Sequence, residues 1–241
     1  DIAMVLDECP APDVDRAASE KSLEMTLRWA KRCLAARSRP EMALFGITQG
    51  SFDRALRTRA VEGLAELDFE GMAIGGLSVG EPKEVMYEVL DYHPVQLPDH
   101  KIRYLMGVGT PQDIVTAVYH GVDLFDCVIP TRSGRFGRAF ISGAEPFINI
   151  RNARFAKDAQ PLDTECECVS CRNYSRAYLH HLFKSGEMLG PQLISAHNLK
   201  HYFDLMQSIR VAIGSGQMSE LYQRVTAVWE SHSSARRNVA L

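Results

Sequence analysis

Five short apolar runs punctuate the first half of the chain: Ile2–Leu6, Met42–Ile47, Gly71–Leu77, Ile102–Val108 and Leu124–Ile129. Each is bounded by Gly, Pro or polar residues and none alternates strictly, which is the pattern of strands buried on both faces of a parallel sheet. Between the runs, apolar residues recur at helical spacing. Ser19–Ala36 carries Leu23, Leu27, Ala30 and Leu34, with Ser19 or Ser22 expected as its cap, and Phe52–Leu67 carries Leu56, Ala60, Leu64 and Leu67. Pro82 and Pro111 stand where a first-turn proline is favoured, ahead of Val85, Val89 and Leu90 and of Ile114, Ala117 and Val118.

Repeated strand and helix predict βα units with parallel pairing, which a doubly wound sheet and a (β/α)8 barrel both satisfy. No G-x-G-x-x-G follows the first strand. The runs end instead in Asp7-Glu8, Gln49-Gly50-Ser51, Gly75-Gly76-Leu77-Ser78, Gly107-Val108-Gly109 and Asp126. Functional groups at several strand C-termini favour the (β/α)8 TIM-type barrel, of which about five strands are expected here. Asp1 stands directly before a predicted core strand, so the N-terminal barrel strands are expected upstream and absent from this chain.

Past Pro130 the pattern changes. Arg135–Ile150 is glycine-punctuated and partly alternating, which predicts antiparallel strands. Residues 163–200 hold a cysteine cluster and a helix from about Ser175 to Ser185; amphipathic helices follow over Asn198–Ile213, stopped by Gly214, and near Met218–Trp229. The expected organisation is a partial barrel over 1–134, antiparallel strands with a zinc-binding subdomain over 135–200, C-terminal helices over 201–230, and a flexible tail over 231–241.

Composition narrows the function classes. The net charge of −3 does not mark a global nucleic-acid binder, so RNA binding would need a local basic patch. No run approaches 18 uncharged apolar residues and no signal peptide is legible, so neither a membrane partner nor secretion is expected. Of six cysteines, three lie within residues 166–171, while Cys9, Cys33 and Cys127 are scattered. This is not a disulfide framework; it points to a reducing, cytoplasmic setting with one metal cluster.

Cys166, Cys168 and Cys171 place three thiols in one tight turn, as a Cys3His zinc site requires, with the fourth ligand open among His180, His181 and His197. A redox reading of Cys168 and Cys171 alone leaves Cys166 unexplained. A closed four-ligand site leaves no position for water, so zinc is expected to fold the module and not to perform chemistry. Asp126 and Asp7 end apolar runs, where each either caps a loop or faces a ligand. With the Gln49 amide and the exposed peptides around Gly75–Leu77, they suit a flat hydrogen-bonding heterocycle. Arg132, Arg135, Arg138, Arg151 and Arg154, five arginines within 23 residues, form either a phosphate-binding segment or a solvated charged loop.

A series of segments, in order from Asp1 to about Trp229, resembles the tRNA-guanine transglycosylases: Leu6-Asp7-Glu8-Cys9, Phe45–Ser51, Gly75–Glu81, Tyr104–Gly109, Phe125–Val128, Pro130–Arg135, Asn149–Phe155, the Cys-x-Cys-x2-Cys knuckle and Ser175–Leu182. The resemblance implies a (β/α)8 barrel with a zinc-bearing insertion and a base exchange in queuosine biosynthesis, guanine at the anticodon wobble position giving way to a 7-deazaguanine. It makes Asp126 the nucleophile that forms a covalent RNA intermediate, a role glycosidic chemistry independently allows a carboxylate. It implies that Asp7 reads the base's N–H edge, that Gln49 and the Gly76 amide read its carbonyl, and that the Leu77 carbonyl faces the substituent at position 7. It places Thr131, Arg132, Ser133, Gly134 and Arg135 at RNA-contacting positions and makes His197 the fourth zinc ligand. Cys9 and Val79 resemble the bacterial branch, which uses preQ1 and forms homodimers through the zinc region. The family's upstream Asp-Ser-Gly-Gly-Phe-Gln segment, whose aspartate the resemblance makes the general acid/base, does not occur in the sequence, so residues 1–241 by themselves are expected to be inactive. The competing readings are a non-catalytic, zinc-stabilised RNA-binding partner subunit of the same fold, and an unrelated zinc-containing barrel enzyme acting on another heterocycle.

Overall fold

The computed structural model describes residues 1–239, and side chains as far as residue 233. Two compact units divide the chain, one of residues 1–109 with 116–127, the other of residues 110–115 with 128 onward.

The first unit is built on five parallel strands: β1 (Ile2–Met4), β2 (Ala43–Thr48), β3 (Gly71–Ile74), β4 (Ile102–Leu105) and β5 (Leu124–Phe125). Their spatial order, β1-β2-β3-β4-β5, is their sequence order. A doubly wound sheet reverses direction at a switch point, whereas barrel strands follow one another around the wall. The sheet is therefore a five-stranded portion of a (β/α)8 barrel, as expected.

The helices α1 (Arg16–Ala36), α2 (Arg54–Ala65), α3 (Lys83–Tyr92) and α4 (Pro111–Tyr119) alternate with the strands. Asp53 caps α2 by accepting from the Ala55 and Leu56 amides at 2.9 and 3.0 Å. Helix α1 starts earlier than its apolar spacing suggests, because Asp15 caps it through the Ala18 amide at 2.8 Å. Each such cap contributes about 1 kcal/mol. Ser19 and Ser22 are consequently inside the helix, where they bond the Ser51 hydroxyl and the Glu8 carbonyl, each at 2.9 Å. The core interleaves Ile47, Met72, Ile74 and Leu105 of the strands with Ala30, Leu64, Val89 and Leu90 of the helices.

The longer segment of the second unit, from residue 128, begins with a short helix, α5 (Ile129–Arg135), where a loop was expected, and the strand reading of 124–129 ends at Phe125. Pro130 lies in its first turn, a position that needs no amide donor. Strands β6 (Arg138–Phe140) and β7 (Phe147–Asn149) form the expected antiparallel pair, with Phe140 opposite Phe147. Helices α6 (Val169–Asn173), α7 (Arg176–Ser185), α8 (Leu189–Gly214) and α9 (Met218–Val239) complete it. Helix α8 begins nine residues before the Asn198 start read from the pattern, since Gly190-Pro191 falls in its tolerant first turn and does not break it. Residues 231–239, expected as tail, continue α9 as helical backbone; residues 240 and 241 lie outside the described residues. Ala139, Ile148, Ile150, Leu179, Leu182 and Ile194 form this unit's core. Among the described residues, no helix is long and apolar enough to cross a membrane.

Candidate functional site

Register decides which side chains share the C-terminal rim of the sheet. Thr48 pairs with Ile74, Ile74 with Leu105 and Leu105 with Phe125. The residues that follow each strand are thus Gln49, Gly75-Gly76 and Asp126, brought to one rim from separate parts of the sequence. The two aspartates around β5 are sorted to its opposite ends. Asp123 accepts from the Arg103 amide at 2.9 Å, whereas Asp126 is exposed at the rim. One Asp126 oxygen, Oδ1, accepts from the Tyr104 hydroxyl at 2.6 Å and the Gly107 amide at 2.8 Å. Burial, and then the bond to Asp126, raises the Tyr104 pKa and keeps that hydroxyl a donor at neutral pH. Tyr104 carried no sequence signal for this role beyond its place near a strand end.

On the neighbouring strands, the buried Gln49 amide donates to Asp7 Oδ2 at 2.6 Å, and its Oε1 has no partner among the described residues. Gln49 lies so close over the β3 loop that a Cβ on Gly75 would be 2.6 Å from its Nε2, and one on Gly76 2.6 Å from its Oε1. Gly76 also has φ +68°, so only glycine fits there without strain. Leu77 follows, buried. Cys9 completes this face beside Gln49 and the Gly76 backbone; partial burial and then Asp7 push its thiol pKa up. Asp7, Gln49, Gly76 and Leu77 therefore converge, with Asp126 on the same rim.

The metal site is settled by geometry. Cys166, Cys168, Cys171 and His197 offer ligand atoms that all lie within 4.8 Å of one another. His197 Nδ1 is 3.5 Å from the Cys168 sulfur and 3.3 Å from that of Cys171. Donor separations of about 3.3–3.8 Å are the edges of a tetrahedron with zinc–ligand bonds of about 2.0–2.3 Å. The other imidazole nitrogen, Nε2, is 2.7 Å from the Phe140 carbonyl, so it donates its hydrogen there and leaves Nδ1 as the lone-pair donor. Cys168 also caps α6 through the Cys171 amide at 3.4 Å, which winds the knuckle around its sulfurs. His180 is excluded as a ligand, its Nδ1 being engaged with the Ile150 carbonyl at 2.7 Å, and His181 lies exposed beside Ser185. The four donors form a structural zinc site, with no coordination position left for substrate.

In α5, Arg132 and Arg135 are exposed and take part in no ion pair among the described residues. Arg154 pairs with Glu145 at 3.0 Å, and Arg138 lies over the Phe147 ring at 4.4 Å. The Thr131 hydroxyl bonds the Val128 carbonyl at 3.3 Å, and Ser133 is half-buried. Gly134 is buried against α8, where a Cβ would lie 2.8 Å from the backbone of Ser195. The close backbone approach this glycine permits is thus to a neighbouring helix.

A five-stranded parallel barrel sheet with an anchored carboxylate on its C-terminal rim, and a Cys3His site in the second unit, define a zinc-binding protein built on a TIM-type barrel. The family model described as queuine tRNA-ribosyltransferase matches residues 1–231, and the chain belongs to that family. A queuine tRNA-ribosyltransferase of Agrobacterium fabrum is 52% identical over 230 residues, covering 95% of this chain and 61% of the relative. One from Symbiobacterium thermophilum is 48% identical over 241 residues, covering 100% of this chain and 60% of the relative, and one from Dinoroseobacter shibae is 50% identical over 228 residues, covering 94% and 60%. The chain thus spans about 60% of the length of these relatives.

Proposed function

We propose that the whole protein exchanges guanine at the wobble position of a tRNA anticodon for the 7-deazaguanine preQ1, through a covalent bond between Asp126 and the ribose. The observation that carries this reading is the Asp126 carboxylate, with Oδ1 held by Tyr104 and Gly107 and Oδ2 without a partner among the described residues. An oriented carboxylate can stabilise the oxocarbenium character that develops at C1′ and then bond to that carbon; attack by the incoming base returns the carboxylate with net retention. Asp7 accepts from the base's N–H edge. The second Nε2 hydrogen of Gln49 and the Gly76 amide donate to its carbonyl, and the Leu77 carbonyl meets the substituent at position 7. Thr131, Arg132, Ser133, Gly134 and Arg135 contact the RNA, the free guanidinium groups of Arg132 and Arg135 holding phosphates bidentately.

Zinc supplies no step; Cys166, Cys168, Cys171 and His197 hold the fold of a module through which two copies form a homodimer in the cytoplasm. The name that the relatives carry, queuine tRNA-ribosyltransferase, supports the transfer of a base to the ribose of tRNA. Incubation of the whole protein with tRNA and labelled guanine tests it. Label entering tRNA, and chased out by preQ1, is the expected result; no incorporation at saturating enzyme would refute it.

A further inference from the structure

The proposed reaction leaves a buried charge of the first unit unused. Arg57, on α2, is fully buried and engaged in no ion pair among the described residues. Its Nε donates to the Ser51 carbonyl at 2.6 Å and its Nη2 to the Gly75 carbonyl at 3.0 Å, while Nη1 has no partner among the described residues. Burial brings its pKa down to about 10, so it is a cation at neutral pH. A buried cation held only by carbonyls is a costly way to tie two loops, since a neutral amide could bond the same oxygens.

The placement of the second bond gives the charge a use. The Gly75 carbonyl and the Gly76 amide are the two ends of one peptide group. A guanidinium on the oxygen polarises that group and makes its N–H a stronger donor, because hydrogen bonds in a chain reinforce one another. We propose that Arg57 is a positioning residue that acts through the Gly75–Gly76 peptide on the carbonyl of the bound purine. The proposal rests on the base-exchange reading above. As an Asp126 oxygen bonds C1′ and the C1′–N9 bond breaks, the electron pair leaves on the purine and spreads onto its carbonyl oxygen, until a proton from water at N9 restores neutral guanine. The incoming base follows the same steps in reverse. Arg57 thus stabilises negative charge where it develops, with donors already in place. Through the Ser51 carbonyl it also fixes the loop that carries Gln49.

The test uses the whole protein with Arg57→Gln and Arg57→Lys. It measures kcat and KM for guanine exchange, and the inhibition constants of guanine and of 2-aminopurine, which lacks the carbonyl. Removing an oxyanion donor outright costs about 10²–10³ in kcat, so weakening one is expected to cost about tenfold in Arg57→Gln. The preference for guanine over 2-aminopurine should fall about as much, with 2-aminopurine inhibition little changed. Arg57→Lys keeps the charge but carries its donors on a single nitrogen, and should lose about threefold of that preference. Should Arg57→Gln not fold, Arg57→Lys decides, an unchanged preference then overturning the proposal. Equal weakening of both purines would show a merely structural role and overturn it too. Failure of the unaltered protein to exchange guanine would instead remove the base-exchange reading itself.

Discussion

Asn198 stands next to the zinc ligand His197 on α8 and is completely buried. Its amide oxygen accepts from the Phe140 N–H at 3.0 Å, and its amide nitrogen donates to the Pro130 carbonyl at 2.8 Å and the Arg138 carbonyl at 2.9 Å. One side chain thus ties α8 to α5 and to β6, with three polar contacts and no spare donor. Asn198→Ala removes all three. The stranded Phe140 N–H costs about 1–3 kcal/mol, and each carbonyl, which has a second lone pair, about 0.5–1.5 kcal/mol. The expected loss is about 4 kcal/mol, a large share of an ordinary domain's stability of about 5–15 kcal/mol. Chemical denaturation followed by circular dichroism, with zinc saturating, measures it. Asn198→Asp sharpens the test, because it keeps the volume and the acceptor but turns two donor contacts into repulsion between a carboxylate and two carbonyls. It should destabilise at least as much as alanine. A loss under about 1 kcal/mol for alanine, or an aspartate variant close to the unaltered protein, would refute the hydrogen-bond account.

Two further predictions concern metal and pH. Cys168→Ala should drop zinc content from one ion per chain to well under half, with a lower melting temperature; equal metal content in both forms would refute the knuckle, which is read by atomic absorption. Buried His93 bonds Thr48 Oγ1 at 2.9 Å, and burial, then the charge of Arg57, pulls its pKa down to about 3. Its unfolded value near 6.5 is higher, so the unfolded chain binds the extra proton between these values. Its contribution is therefore complete above about pH 6.5 and is lost as pH falls toward 3. His93→Gln should flatten stability against pH across that window in denaturant titrations; an identical slope would contradict it.

Much of the fold was legible because parallel barrel strands are buried on both faces and read as unbroken apolar runs, and five such runs became five strands. Boundaries that depend on distant partners were not. Helix α5 hides behind Pro130 and Gly134, residues usually read as breakers; its glycine is instead set by contact with Ser195. The fourth zinc ligand could not be chosen by spacing among His180, His181 and His197, since the choice depends on how α8 meets the knuckle. The common rim of Asp7, Gln49, Gly76 and Asp126 was readable from their positions after apolar runs, which the strand register sets side by side. Tyr104 and Asn198 were not, because their roles lie in partners 22 and 58 residues away. Arg57 left a trace that could have been used, a charged residue at the buried spacing of Ala60, Val61 and Leu64.

The central claim, that Asp126 bonds the ribose of tRNA, is tested most directly by incubating the whole protein with tRNA and resolving the mixture on a denaturing gel. A protein–RNA band that survives denaturation in the unaltered protein and disappears in Asp126→Asn is the predicted result. A band of equal intensity in both, or none in either, would contradict it.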